Sequence, residues 1–183
     1  MSAAIKTVKC CIRKMELQDI QQVIEIDKLS FTLPWPERSF AFEVTGNPAS
    51  RPWIAEIADA DGKVEVAGMV VIWLILDEAH IGTLAVHPKY RGRGIAQRLL
   101  AESLLHAYAE GVRRCFLEVR RSNLAAQALY NRFGFLVTTI RARYYKDNSE
   151  DAFLMTLENL NQENLLELVG SDYNPEIRED RVG

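Results

Sequence analysis

The segment "HPKYRGRGIAQRLL", from His87 to Leu100, joins an apolar run to a helix-forming run through two closely spaced glycines. Glycine costs conformational entropy and has no side chain to pack, so a pair at this place indicates a backbone that must stay accessible. The first N–H groups of a helix lack partners within it, and the helix dipole leaves roughly half a positive charge there. The segment alone predicts either an anion site to which Arg91 and Arg93 add charge, or a turn that needs positive φ and carries solvated arginines.

The rest of the sequence alternates between strand and helix patterns, without repeats. Predicted strands cover Val8–Lys14, Trp53–Ala58, Val64–Leu76, Ala79–Val86, Arg114–Val119, 135–145 and 151–157, and predicted helices cover Leu17–Leu29, Pro36–Gly46, Ile95–Tyr108, Leu124–Arg132 and part of 157–169. Helices between the later strands imply local parallel pairing, and hairpins imply antiparallel pairing elsewhere. The predicted fold class is therefore α/β (α+β), a mixed sheet with helices on its faces.

Length and charge limit the classes of partner. A chain of 183 residues suits one domain with a terminal extension. Six of its 25 acidic side chains, but only two of its 22 basic ones, follow residue 158, so the body is nearly neutral and the end of the chain is acidic. A nucleic-acid-binding protein would show a basic excess, and we therefore expect no nucleic-acid partner.

Apolar runs and cysteine usage indicate the compartment. The longest apolar run, Val66–Leu76, is too short to cross a bilayer, and the first residues lack the apolar core of a secretory signal. The three cysteines have neither disulfide nor zinc spacing, and His80, His87 and His106 have no ligand spacing. We expect a cytoplasmic protein with no membrane segment and no metal, in which Cys115 is a core thiol.

Two common phosphate-binding motifs do not match the glycine turn. A P-loop needs Lys followed by Ser or Thr after its second glycine, where this chain has Ile95 and Ala96. The Rossmann fingerprint needs a glycine or alanine three residues beyond the second glycine, where this chain has Gln97. An anion at this turn therefore needs another class of nucleotide site.

The segment "RGRGIA" fits the Gln/Arg-x-x-Gly-x-Gly/Ala signature and resembles that of the Gcn5-related N-acetyltransferases (GNAT), with alanine at the third glycine position. The segment "FLEVRRSNLAAQALYNRFGF" and the hairpin "IRARYYKDNSEDAFLM" are similar to the RimI-like branch, the ribosomal-protein N-terminal-alanine acetyltransferases. The likeness runs from about Val8 to Leu157 and is strongest from Ile81 to Met155. It stops beyond Leu160.

This resemblance implies a GNAT domain over residues 1–158 and an acidic C-terminal extension, a helix with a frayed tail, over 159–183. The GNAT fold is a mostly antiparallel seven-stranded sheet with a V-shaped splay between strands 4 and 5 and about four helices. Acetyl-CoA would lie in the splay, its pantetheine arm on strand 4 and its diphosphate on the glycine turn. The implied cofactor-binding residues are Leu84, Ala85, Val86, Arg91, Gly92, Arg93, Gly94, Ile95, Ala96, Gln97, Asn123 and Tyr130; Asn123 also suits a helix N-cap.

Two residues are candidates for acid–base catalysis. Glu118 interrupts an apolar strand, where a charge is costly unless it is used or paired; it would accept the proton of the amine. Alternatively it faces solvent or pairs with Arg120 or Arg141. Tyr130 matches the family tyrosine that protonates the departing thiolate, and its alternative is a buried packing role. A backbone N–H of strand 4, at Val86, is expected to stabilise the oxyanion.

The substrate side is expected to use exposed aromatic and basic side chains. By resemblance, Trp35 in "SFTLPWP" forms one wall of a peptide groove, although that segment would equally suit a buried turn. Arg143, Tyr144 and Tyr145 form the other wall. The expected reaction is acetyl transfer to a protein N-terminus, with a ribosomal protein as one candidate partner, in a monomer or weak homodimer. A small amine or a lysine as acceptor, or a non-catalytic acyl-CoA-binding module, are the alternatives.

Overall fold

The computed structural model describes residues 10–58 and 62–170 of the chain. Its strands are β1 (Cys10–Lys14), β2 (Ser50–Ala58), β3 (Val64–Ile75), β4 (Glu78–Val86), β5 (Arg114–Arg120), β6 (Leu136–Tyr145) and β7 (Glu150–Leu157), and its helices are α1 (Ile20–Ser30), α2 (Glu37–Thr45), α3 (Ile95–Ala109), α4 (Leu124–Arg132) and α5 (Gln162–Val169). None of these helices is both long and apolar enough to span a bilayer.

The seven strands form one sheet in the order β1-β2-β3-β4-β5-β7-β6. Every neighbouring pair is antiparallel except β4 and β5, which α3 connects in parallel. Pairing between β4 and β5 ends at Ile81 and Leu117, although β4 continues to Val86 and β5 to Arg120. The mixed, mostly antiparallel sheet with a splay between its fourth and fifth strands is therefore confirmed.

Two apolar cores lie on opposite faces of the sheet. Residues of α3, α4 and α5, such as Leu99, Tyr130 and Leu165, pack in the larger core, and residues of α1 and α2, such as Val23 and Phe40, pack in the smaller one. Strand side chains alternate between the faces. In β5 the buried positions 115, 117 and 119 join the larger core, so Glu118 lies on the face that carries α1 and α2.

Most element predictions agree with the structure, and the differences lie at the ends. Strand β2 begins at Ser50 rather than Trp53, and α1 begins at Ile20 after a single 3-10 turn. The predicted start of β1 at Val8 and the frayed tail from 171 to 183 lie outside the described residues. Cys115 is fully buried, as predicted, and burial raises the pKa of its thiol.

The predicted helix of the C-terminal extension packs on the domain itself. Leu160, Leu165 and Val169 are buried in the larger core, against α3. The apolar stripe of this helix could pack on the body, on another subunit or face solvent as far as its sequence goes. Burial against α3 answers that question, whereas the boundary at residue 158 stays a prediction.

Candidate active site

A cleft of about 550 Å³ opens at the end of β4, between the glycine turn and α4. Every residue predicted to bind the cofactor lines it except Arg93. Sequence reasoning missed several other lining residues, which come from α1, the segment before the turn and α4: Ser30, Phe31, Tyr90, Ala125, Ala126, Ala128, Leu129 and Arg132. For the lining residues on α4, the only sequence signal is helical spacing, since positions 125, 126, 129 and 132 share one side of this short helix.

The glycine turn has the backbone that its sequence predicts. Gly92 and Gly94 have φ values of +74° and +76°, a left-handed region that favours glycine. A Cβ built at either position meets no atom within 4 Å, so each would project into open space. Gly94 is the N-cap of α3 and supplies no side-chain cap, which leaves the N–H groups of the first turn for an anion.

The two arginines of the turn contact protein groups. Arg91 donates from Nε to the Val86 carbonyl at 2.9 Å and from Nη2 to Ser30 Oγ at 3.0 Å, which joins the turn to β4 and α1. The guanidinium of Arg93 lies 5.5 Å from the centre of the Tyr90 ring. Both cations add positive potential near the cleft. Contrary to the prediction, Arg93 does not line the cleft, because its side chain packs on Tyr90.

Tyr130 and Asn123 place α4 against the cleft. Asn123 caps the helix, since its Oδ1 accepts the N–H of Ala126 at 3.1 Å, and it also lines the cleft, so both predicted roles are compatible. The Tyr130 side chain is 7% exposed, lines the cleft and packs beside Phe135. Burial raises its pKa well above the usual value, and the neighbouring Cys115 adds to the effect. The phenol is therefore protonated at neutral pH and is able to donate a proton.

Glu118 does not line this cleft but lies at the splay on the other face of the sheet. It is the first residue of β5 beyond the last pair with β4. Its Oε1 lies 3.0 Å from Nη1 of Arg141, and its side chain remains 31% exposed. The pairing that was named as an alternative to catalysis is thus present, and the exposure leaves the carboxylate accessible from that face.

A polar cluster around Arg120 joins two segments on the face of the sheet that carries Glu118. The sequence suggests Arg120 only as a partner of Glu118. Its Nη2 donates to Asp147 Oδ2 at 2.7 Å and to Thr32 Oγ1 at 3.3 Å, and its Nη1 donates to Glu150 Oε2 at 3.2 Å. Thr32 in turn donates to Asp147 at 2.5 Å. The segment between α1 and α2 is thereby tied to the turn between β6 and β7.

Tyr145 is held by this cluster. The Arg120 guanidinium lies 3.8 Å from the centre of the Tyr145 ring. Burial raises the Tyr145 pKa to about 12. Tyr144 packs edge-on against Tyr145 and is exposed. Arg143 has a φ of +53° and an exposed side chain, and its N–H donates to Asp151.

Trp35 is half-buried, and its contacts bear on both alternatives left open for its segment, a groove wall and a buried turn. Its ring stacks on Trp73 at 6.0 Å and on Phe40 at 5.3 Å, and the backbone N–H of Trp35 donates to the buried Asp27 carboxylate at 2.7 Å. The two indoles lie over Gly82, where a Cβ would come within 2.9 Å of Trp73. The segment is therefore a packed turn that also forms a wall beside the splay.

The sheet is opened between two parallel strands, with a glycine turn at a helix start on one side and a carboxylate on the other. This geometry suits an enzyme that transfers an acyl group from a nucleotide carrier. Residues 20–135 match the model of the acetyltransferase (GNAT) family, and the chain belongs to this family. It is an N-acetyltransferase by fold and family.

Sequence relatives narrow the branch. The chain is 40% identical over 147 residues, 80% of its length and 94% of the relative, to a Bacillus subtilis protein provisionally named [ribosomal protein bS18]-alanine N-acetyltransferase. It is 34% identical over 148 residues, 80% of its length and 95% of the relative, to the Escherichia coli K12 protein of that name.

A solved structure agrees with these relatives. The crystal structure of the ribosomal-protein-S18-alanine N-acetyltransferase from Escherichia coli superposes with a TM-score of 0.71 at 31% identity, and the match covers 81% of this chain and 93% of that one. The resemblance to the RimI-like branch is confirmed.

Proposed function

We propose that the protein transfers the acetyl group of acetyl-CoA to the α-amino group of a protein N-terminus, with the N-terminal alanine of a ribosomal protein as the preferred acceptor. The observation that carries this proposal is the splay beyond Ile81 and Leu117, with the phenol of Tyr130 on one face and the carboxylate of Glu118 on the other. The names of the relatives supply the acceptor. We expect a cytoplasmic enzyme, a monomer or weak homodimer, that binds neither nucleic acid nor membrane.

The cleft fits the donor. The N–H groups at the start of α3 suit a diphosphate. The part of β4 beyond Ile81 has no pairing with β5 in the described residues, which leaves backbone groups of Leu84 for a pantetheine amide and the N–H of Val86 for the oxyanion, since the Val86 carbonyl already accepts from Arg91. When bound, the thioester supplies an activated acetyl group and a thiolate leaving group. In the described part of the chain, no three His, Cys, Asp or Glu side chains form a metal-binding group.

The two side chains have complementary roles. An α-amino group titrates at about 7.7–8.0, so it must lose a proton before or as it attacks. Glu118, which directly follows the last pair between β4 and β5, accepts that proton. A thiol titrates near 8.5, and the protonated Tyr130 donates to the sulfur as it departs. The backbone N–H of Val86 stabilises the oxyanion. Trp35, Arg143, Tyr144 and Tyr145 contact the peptide.

The charges on the acceptor side favour a peptide over a polyamine. The guanidinium of Arg141 lies 3.0 Å from the Glu118 carboxylate. Arg143 and Lys146 follow in the same hairpin and are exposed, beside the carboxylates of Asp147, Glu150 and Asp151, so the charges there are mixed rather than acidic. A polyamine would need an acidic groove, whereas a mixed groove suits a peptide that carries one terminal amine.

The test is a panel of acceptors incubated with acetyl-CoA, followed by mass spectrometry. It contains a peptide with N-terminal alanine, the same peptide with a blocked N-terminus and one internal lysine, and spermidine. We expect acetylation of the first only. Faster acetylation of the lysine peptide or of spermidine would mean that the acceptor is a lysine or a polyamine instead of an N-terminus. No turnover with any of the three would favour a non-catalytic acyl-CoA-binding module.

Variants test the assigned roles. Glu118→Gln and Tyr130→Phe are each expected to lower kcat by about 10²- to 10⁴-fold, the usual contribution of general acid–base catalysis. Tyr108→Phe on α3 and the exposed Glu158→Gln remove the same groups away from the site and are expected to keep kcat. If kcat survives both site variants, the acid–base assignment is wrong.

A further inference from the structure

Helix α5, which lies beyond the segment matched by the family model, ends against the first turn of α3. Gln97, in that turn, donates from Nε2 to the carbonyl of Leu168 at 2.9 Å. Leu168 lies in the last turn of α5, where carbonyl groups have no partner within the helix. Leu165 and Val169 hold α5 in place because they are buried in the core that also contains Ile95. The C-terminal helix therefore contacts a side chain in the first turn of α3, directly after the glycine turn.

The other end of the same amide contacts a cation. Gln97 Oε1 accepts a hydrogen bond from Nη1 of Arg132 at 3.0 Å. An amide has distinct donor and acceptor ends, so donation to Leu168 fixes the oxygen towards Arg132. One N–H group of the guanidinium is used in this bond, out of the five that an arginine carries. Arg132 is thus oriented by a residue that α5 itself orients.

Arg132 lies where an anion is expected. It is the last residue of α4 and lines the same cleft as Gly92, Gly94 and Gln97. Neither arginine of the turn directs its whole guanidinium into the cleft, because Arg91 bonds to Val86 and Ser30 and Arg93 packs on Tyr90. Arginine matches phosphate geometry with two parallel N–H groups.

We propose that Arg132 binds the diphosphate of the coenzyme and that α5, acting through Gln97, positions it. This inference rests on the proposed use of acetyl-CoA. It gives the C-terminal extension a role in cofactor binding: Arg132 is a binding residue, and Gln97 acts on it through its side chain in addition to offering its backbone N–H.

The first test is calorimetric titration of the full chain with acetyl-CoA and with its 3′-dephospho form. We expect Arg132→Ala to raise Kd about tenfold for both, the loss from one hydrogen bond between charged groups, and Arg132→Lys to recover part of it. The matched control is Arg121→Ala, an exposed arginine just before α4 that does not line the cleft. It is expected to keep the Kd of the unaltered chain. A loss confined to the 3′-phosphorylated form would overturn the assignment to the diphosphate.

The second test is a double-mutant cycle with Gln97→Leu, which keeps the size of the side chain and removes both of its hydrogen bonds. If Gln97 acts through Arg132, Gln97→Leu raises Kd several-fold alone and adds little in the Arg132→Ala background. In steady state the variants raise the KM for acetyl-CoA and leave kcat and the peptide KM unchanged, a pattern that a general loss of folding would not give. Additive effects would refute the relay.

The proposal and the proposed function fail in different ways. If the unaltered chain does not bind acetyl-CoA, the use of that donor is wrong and this inference falls with it. If the unaltered chain binds acetyl-CoA and Arg132→Ala binds it equally well, only the role of Arg132 and α5 is overturned.

Discussion

Replacement of Gly94 by alanine separates two costs, the strain of a left-handed backbone and the loss of space at the diphosphate turn. Gly94 has φ +76° and ψ 4° as the N-cap of α3. A Cβ there meets no protein atom within 4 Å, so alanine causes no clash within the protein. The remaining cost to folding is the left-handed conformation, about 1–2 kcal/mol. For a chain of this size each kcal/mol lowers Tm by roughly 2–4 °C.

Gly111 provides the matched control. It follows the other end of α3, has φ +101°, and a Cβ there also meets nothing within 4 Å. It does not line the cleft. Gly111→Ala is therefore expected to lower Tm by a similar amount and to leave acetyl-CoA binding unchanged. Gly94→Ala additionally places a methyl group where the backbone must approach the diphosphate, and the loss of one such contact to a charged group costs about 1.5–3 kcal/mol.

The assay is calorimetric titration of each variant with acetyl-CoA, together with thermal unfolding. The estimated loss corresponds to a Kd about 10- to 100-fold higher for Gly94→Ala. Equal Kd values for the two variants would mean that the glycine turn does not bind the diphosphate, and the argument from open space at Gly94 would be refuted.

Three further outcomes follow from contacts elsewhere. Gly82→Ala is expected to destabilise by about 1–3 kcal/mol, because its Cβ would lie 2.9 Å from Trp73, and Trp73→Phe in the same chain should restore part of the lost Tm. Arg120→Lys keeps the charge but loses the planar contact with Tyr145, so the peptide KM should rise several-fold while the KM for acetyl-CoA stays constant. Hydrogen bonds from Ser122 and the contact with Arg120 lower the Glu150 pKa to about 2. The ionised side chain therefore stabilises the fold above about pH 4.5, and this stabilisation is lost as the pH falls towards 2. The Tm difference between the unaltered chain and Glu150→Gln should shrink over that range.

Local patterns account for most of the fold that could be predicted. The bounds of α4 agree with the sequence because Asn123 caps its start and Gly134 follows its end with a φ of +89°. The backbone of the glycine turn was also predictable, since few residues other than glycine adopt two left-handed conformations so close together. The order of the strands, in contrast, was not predicted, because spacing alone does not place β7 between β5 and β6.

Long-range contacts are the part of the site that the sequence could not supply. Arg120 meets Thr32, which is 88 positions away, and the partner of Gln97 is 71 positions away in α5. No local periodicity encodes such pairs. For the same reason the sequence could not decide which residue pairs with Glu118. Arg141 on β6 reaches Glu118 on β5 because β7 is the single strand between them. The choice between a groove wall and a buried turn for Trp35 stayed open for the same reason, since its partner Trp73 belongs to a distant strand.

The alternation of side chains along β5 explains why the two candidate catalytic groups approach the same opening from opposite faces. Leu117 and Val119 are buried with Tyr130 in the larger core, so the intervening Glu118 must lie on the other face. The proposed nucleotide and peptide sites are then separated by the sheet everywhere except where β4 and β5 diverge. A donor on one face and an acceptor on the other have only that gap in which to meet, which favours direct transfer of the acetyl group and leaves no need for a covalent enzyme intermediate.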